Sequence, residues 1–328
     1  MSFLKDLARR AAVALISWRV FQLLVSPFVW ISAFVLFCVR RAGVERMPIL
    51  RGVLNSARVF PILDHYAEPM FNPRHLLRSL REPRDLPGLE FQDGPQLELI
   101  DKFHFQEELL AFPMMGKANE FFYENRSYPP GDSEFLYSMV RLLKPARIVE
   151  VGSGYSTLMV LHALRRNRVE DPSYQCDHVC IEPFEVPWLE AAGARVVRQR
   201  LELVDRSVIE QLGDGDIFFI DSSHVIRPQG DVVVEILEIL PRLRSGVYVH
   251  IHDIFTPRDY LDKWVLEHVH FWNEQYLLEA FLSFNEQFRV IAAVNYLRHK
   301  YPEKLLPKLP ILSRDPAGEP SSFWIQRV

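Results

Sequence analysis

From Gly131 to Val328 the chain alternates short β-branched and apolar runs with longer stretches of helical character, and this alternation constrains the fold more than any other feature. Strands separated by ten or more helical residues cannot pair as hairpins, so the pattern predicts a mostly parallel α/β sheet with helices on both faces. The expected strands cover 147–151, 179–181, 195–198, 217–220, 246–251, 288–293 and 323–326. A helix capped by Asp132 or Ser133 should run to Leu143, where Lys144-Pro145 disfavours helical backbone.

With 48% hydrophobic residues in 328, the chain can bury a core of ordinary size, which excludes disorder. Three cysteines, Cys38, Cys176 and Cys180, are too few for a disulfide framework and fit a reducing compartment. The net charge of -4 hides a polarity: residues 1–60 carry nine Lys/Arg against Asp6 and Glu45, so the remainder is strongly acidic. That remainder does not supply the phosphate-neutralising face of a nucleic-acid binder.

The basic arm has another use. Val20 to Val39 is uncharged and interrupted only by Gln22, two serines and Pro27. As a helix it would reach about 30 Å, the thickness of a bilayer's hydrocarbon core. Residues 1–46 are therefore expected to form a basic arm with a membrane-associated or transmembrane helix. An interfacial helix including the amphipathic Phe3–Trp18 stretch and a buried helix kinked at Pro27 are the alternatives. Basic flanks on both sides leave the orientation open. Residues 47–130 are broken by prolines and are read as a cap, lid or substrate-recognition region. There, Asp64-His65-Tyr66 and Phe121 to Asn125 either line a pocket or pack as amphipathic surface.

The most informative stretch is Arg147 to Leu158, an apolar strand ending in Gly152-Ser153-Gly154 and opening into a helix. Such a turn lets backbone approach a ligand closely, and the helix start offers unpaired N–H groups. A dinucleotide fingerprint would place glycine at position 157, where Thr157 stands instead; Glu150 precedes the turn by two residues.

This Glu-x-Gly-x-Gly arrangement resembles motif I of class I S-adenosylmethionine-dependent methyltransferases. Glu182, ending the second strand in Cys180-Ile-Glu-Pro, matches the acid that accepts hydrogen bonds from the cofactor ribose in that family. The longer spacing between the two is assigned to a polar insertion, Arg165 to Asp177. The resemblance covers residues 131–328. It implies a Rossmann-like seven-stranded sheet and S-adenosylmethionine as cofactor, held by Glu150, Gly152, Ser153, Gly154, Tyr155, Ser156, Glu182 and Asp221.

Two further strand ends, Ile217 to His224 and Gly246 to Asp253, carry Asp221, His224, His252 and Asp253. In an open parallel sheet ligands bind at the carboxyl edge, so these groups should converge there. The pattern is similar to the methyltransferase family 24 type and to the macrolide and catechol O-methyltransferases, where the corresponding acids hold a divalent metal. His252 stands where an acid is usual. Imidazole moves the set Asp221, His252 and Asp253 away from magnesium, toward Zn, Mn, Fe or no metal. His224 matches the general base of the macrolide enzymes and, at an ordinary pKa near 6.5, would suit that task. Asp221 and Asp253 would orient it or hold the metal.

The resemblance thus implies O-methylation of a hydroxyl on a small-molecule, glycan or lipid-linked acceptor. The cytosolic origin of the cofactor implies a catalytic domain facing the cytosol from a cytoplasmic membrane. An inactive cofactor-binding membrane scaffold and an NAD-dependent dehydrogenase are the other classes. Smaller signals are read as structural: Cys176-x-His178-x-Cys180 lacks a fourth ligand for zinc, His250 is expected to be a satisfied core histidine, and Trp272, Tyr276 and Glu279 share one helical face.

Overall fold

A computed structural model describes residues 18–117, 119–184, 186 and 188–328. The amphipathic stretch anticipated before Trp18 lies outside the described residues. The chain divides into two compact units, Met1–Leu76 and Leu77–Val328.

In the first unit, α1 spans Arg19–Ala42 and α2 spans Pro48–Ala57. Pro27 lies inside α1 without ending it. Its missing N–H would leave the carbonyl of Leu23 unpaired, and the Ser26 hydroxyl donates to that oxygen at 3.0 Å. Val39, Val44 and Leu54 form a small buried cluster joining α1 to α2. The rest of α1 is uncovered, with Phe28, Trp30 and Phe34 all more than 60% exposed. Among the described residues, α1 is the one helix long and apolar enough to cross a membrane, judged by length and composition alone.

The second unit is built on seven strands: β1 Arg147–Val151, β2 Asp177–Ile181, β3 Arg195–Val197, β4 Ile217–Ile220, β5 Tyr248–Ile251, β6 Phe288–Ala293 and β7 Phe323–Arg327. Their order is β3-β2-β1-β4-β5-β7-β6, and β7 runs antiparallel to both its neighbours while the others are parallel. This is the anticipated sheet, with strand ends moved by two residues or fewer. Side-chain alternation separates two cores. Val149, Val151, Phe218 and Ile220 face one side, and Ile148, Ile217 and Phe219 the other.

Both faces are covered. Further helices, α3 Asp93–Asp101, α4 Asp132–Leu143, α5 Tyr155–Glu170, α6 Glu274–Leu282 and α7 Val294–Lys300, supply apolar residues to these cores. α4 runs as anticipated, but its cap is Gly131, whose N–H donates to Glu134. The Asp132 carboxylate instead accepts the N–H groups of Ser321 and Ser322. The segment 165–170, read as part of an insertion, is the last turn and a half of α5; only the following residues loop back to β2. Ile100, Phe103, Leu109, Phe121 and Tyr123 are fully buried in the core of this unit, so the Phe121–Asn125 stretch is chiefly packing.

Candidate active site

Strand order reverses between β1 and β4, which opens a crevice at their carboxyl ends. Gly152 leaves β1 with φ +74°, and a Cβ there would stand 1.8 Å from the Asp221 carbonyl oxygen, so the close passage of two strand ends requires glycine. Gly154 differs: its backbone is extended and an added Cβ meets nothing within 4 Å. The space in front of it belongs to a cleft of about 390 Å³ lined by Ser127, Tyr128, Gly152–Ser156, Glu182, Trp188 and Asp221. A second cleft of about 270 Å³ continues past Glu182 and Asp221 toward Phe184, Leu201 and Ser222.

Glu182 is fixed between the two clefts. Its carboxylate accepts the N–H groups of Ser153 at 3.1 Å and Phe184 at 2.7 Å. Gly152, Ser153, Gly154, Tyr155, Ser156, Glu182 and Asp221, the residues expected at the cofactor, thus line the clefts. Glu150 does not line them. Its carboxylate points into the sheet face under α5, where it accepts from Ser156 Oγ at 2.6 Å, Thr157 Oγ1 at 2.9 Å and His178 Nε2 at 2.8 Å. It holds the start of the helix rather than a ligand, a correction to its anticipated cofactor contact. The residue at 157 that argued against a dinucleotide fingerprint completes this arrangement.

Beyond Asp221 the anticipated polar groups converge. His224 Nε2 lies 3.4 Å from Asp221 Oδ1 and 3.5 Å from Asp253 Oδ2. His252 Nδ1 lies 3.5 Å from Asp221 Oδ1 and 3.4 Å from Asp253 Oδ1. Two partners were not legible in the sequence. Glu274, at the start of α6, takes the other nitrogen of His224, Nδ1, at 2.9 Å, and Asp132 faces His252 Nε2 at 3.4 Å. The His224 carbonyl also accepts the N–H groups of Asn273 and Glu274, pinning its loop to α6. Trp272, read as packing, precedes the helix, and its ring lies tilted against His224 with the centroids 4.3 Å apart. Tyr128 lies 4.9 Å from the His252 ring.

Burial disfavours a charged His224 ring. Its hydrogen bonds to Asp221 and Glu274, and the charges of Glu274 and Asp253, outweigh that effect and raise its pKa well above the ordinary imidazole value. His252 is raised in the same way, against burial, by Asp253, Asp221 and Asp132. The ordinary value anticipated for His224 is therefore corrected by neighbours that the sequence did not bring together. Burial also opposes ionisation of Asp221, but the charges and hydrogen bonds of His252 and His224 hold its carboxyl below the usual range. Asp253 and Glu274 are shifted upward, mainly by burial.

The remaining sequence candidates fall elsewhere. His250 is fully buried against Trp324 and Phe219, but neither ring nitrogen has a partner, so the core histidine is not a satisfied one. Its pKa is lowered well below the ordinary value by burial and by the His252 charge. Tyr276 and Glu279 bond Asp259 and Arg84 respectively. His104 is exposed outside the clefts, and His65 lies in the first unit.

Residues 149–254 match a family model described as a methyltransferase domain. Among solved structures, the chain is similar to an O-methyltransferase from Bacillus cereus determined in complex with SAH. The two share 15% identity at a TM-score of 0.34, over 71% of this chain and 90% of that one. No curated protein matches the chain.

Proposed function

We propose, from the premise that residues 149–254 form a class I S-adenosylmethionine-dependent methyltransferase domain, that the chain methylates a hydroxyl on a small-molecule, glycan or lipid-linked acceptor. The observation that carries the choice of a hydroxyl is the seat of His224, held by Glu274 on one side with its Nε2 presented between Asp221 and Asp253 beside the cofactor cleft.

The clefts fit the cofactor. Gly154 leaves open space where a side chain would stand, and Glu182 is a buried carboxylate held by two backbone N–H groups with lone pairs to spare for ribose hydroxyls. The cofactor supplies a methyl group already activated by a positive sulfur, so alignment carries much of the acceleration. At this helix start the N–H groups of Ser153 and Gly154 are taken by Glu182 and Thr157, which leaves Tyr155 to face the cofactor's charged end. Asp221, lining both clefts, places a carboxylate near the sulfur's charge. Because its carboxylate neighbours favour the charged ring, His224 acts as base only in its deprotonated form, the minor form near neutral pH. In that form Nε2 receives the hydroxyl proton, and Asp221 and Asp253 balance the restored ring charge.

A divalent cation is a second reading, favoured by one observation. Asp221, His252 and Asp253 each offer a ligand atom within 4.8 Å of the others, and His252 Nδ1 is buried without a hydrogen-bond partner. A mixed nitrogen and oxygen set suits Zn, Mn or Fe better than magnesium, and such an ion would acidify a hydroxyl bound to it. Activity that falls at least tenfold on chelation and returns with Mn or Zn supports this reading; activity unchanged in EDTA removes it.

The exposed apolar surface of α1 supports placement at a cytoplasmic membrane with residues 131–328 on the cytosolic side, where the cofactor is made. An acceptor at a membrane surface would then be within reach. Release of S-adenosylhomocysteine by the full chain, measured over a panel of hydroxylated glycan, lipid-linked and small-molecule acceptors, tests the proposal. Turnover confined to amine acceptors would overturn O-methylation.

A further inference from the structure

At the amino ends of the strands, on the edge opposite the cofactor clefts, the space between α5, the start of β2 and the start of β3 is not filled. The turn after Leu189–Ala192 closes one side, and the result is a cavity of about 370 Å³ lined by Arg165, Arg168, Arg195, Asp177 and His178 among others. Arg195 is paired with Asp177 at 2.8 Å. Arg165 donates only to the backbone carbonyl of Ala192, at 3.2 Å. Among the described residues, the Arg168 side chain, on the last turn of α5, makes no hydrogen bond or ion pair. Two guanidinium groups therefore flank the cavity without a carboxylate to neutralise them.

A second observation points to a ligand. The His178 side chain is 4% exposed. Its Nε2 bonds Glu150 in the sheet core at 2.8 Å, and its Nδ1 is buried without any partner. A buried polar atom left unpaired costs about 1–3 kcal/mol, and here it belongs to a residue lining a basic cavity.

We propose that this cavity binds a phosphate monoester. The volume admits a phosphate with a small organic substituent, and guanidinium groups bind phosphate oxygens bidentately. A phosphate monoester, whose second pKa is about 6, brings up to two negative charges to face Arg165 and Arg168. The bound group lies one side chain away from Glu150, which in turn anchors Ser156 and Thr157 at the start of α5.

Calorimetry on the full chain in detergent, with inorganic phosphate, glycerol 3-phosphate and short-chain phosphatidic acid as probes, tests the site. Arg168 is exposed on a helix, so Arg168→Glu should keep the fold, which an unchanged thermal transition confirms. Binding of at least one probe to the wild-type chain, weakened tenfold or more by Arg168→Glu, is expected. Preference for glycerol 3-phosphate identifies a soluble ligand, and preference for the phosphatidic acid identifies a lipid headgroup. The absence of binding by all three probes, or equal affinity in Arg168→Glu, overturns the proposal. Cofactor affinity, measured separately on the same samples, keeps this outcome distinct from any failure of the methyltransferase reading.

Discussion

Two buried clusters of histidine and carboxylate lie on this sheet, and they are built in opposite ways. Around Glu150 the bonds are short: two hydroxyls and one imidazole nitrogen reach its carboxylate at 2.6–2.9 Å. Around Asp221 and Asp253 the two histidines stand at 3.4–3.5 Å, at the outer limit of hydrogen bonding, with more than one acid competing for each nitrogen. The first carboxylate is spent on structure. The second pair retains capacity for a proton, a hydroxyl or an ion, and it stands beside the clefts. Buried charge alone does not single out the proposed site; incompletely committed buried charge at the crevice does.

The comparison is broken most directly at His224. His224→Ala should lower turnover by about 10² to 10⁴ while leaving S-adenosylmethionine affinity within a few-fold, because the ring is the proposed base and does not line the clefts. Full activity in that variant would remove His224 from the mechanism. Glu150→Ala should do the reverse. It strips the partner from His178 and two hydroxyls, a loss of about 3 kcal/mol or more in unfolding free energy, while turnover per folded molecule stays within about threefold. Chemical denaturation and active-site titration on one preparation separate the two effects. Glu274→Ala sharpens the contrast, since it frees His224 Nδ1 without removing the base. A loss of about 10- to 100-fold in kcat is expected, with Glu274→Gln recovering part of it. Equal losses in the two variants would mean that Glu274 carries a charge the site needs rather than an orientation.

The sheet was legible because periodicity and turn chemistry are local properties. The runs at 147–151 and 217–220 alternate between the two cores as their residues require, and Lys144-Pro145 stops α4 where it should. Seven of the eight residues named for the cofactor line the two clefts at the crevice for the same reason, since they fall within a few positions of two strand ends and a helix start. The misreadings concern distance along the chain. Glu150 sits in a motif whose spacing was right, but its side chain points to the face that His178 shares, and that depends on strand register. Glu274 and Trp272 reach His224 from fifty residues away through the packing of α6. Asp132 was read as a helix cap, yet it meets His252 because the strand β7 brings Ser321 and Ser322 to it. No spacing rule encodes such encounters. The same holds for the pKa of His224, which is set by carboxylates from three separate segments.

A third histidine–carboxylate pair, half exposed, sets the lower end of the scale. Glu319 accepts from His299 at 3.0 Å and from Asn295 at 2.8 Å, and it pairs with Arg81 at 3.1 Å. Burial works against its ionisation, but the bonds from His299 and Asn295 and the charge of Arg81 prevail, and its pKa falls to about 2. A carboxyl whose folded pKa lies below its unfolded value of about 4.5 stabilises the protein above that pH. The contribution should be fully present near neutral pH and lost as pH falls from about 4.5 toward 2. Solvent screening keeps it small, about 1 kcal/mol. Glu319→Gln should therefore lower unfolding free energy by about that much at pH 7, with the difference from wild type shrinking below pH 4. Turnover should not change, because no atom of this pair lies at the clefts. A loss of turnover in Glu319→Gln comparable to that in Glu274→Ala would show that the sheet transmits strain from this edge to His224. Functional importance would then not be confined to the uncommitted cluster.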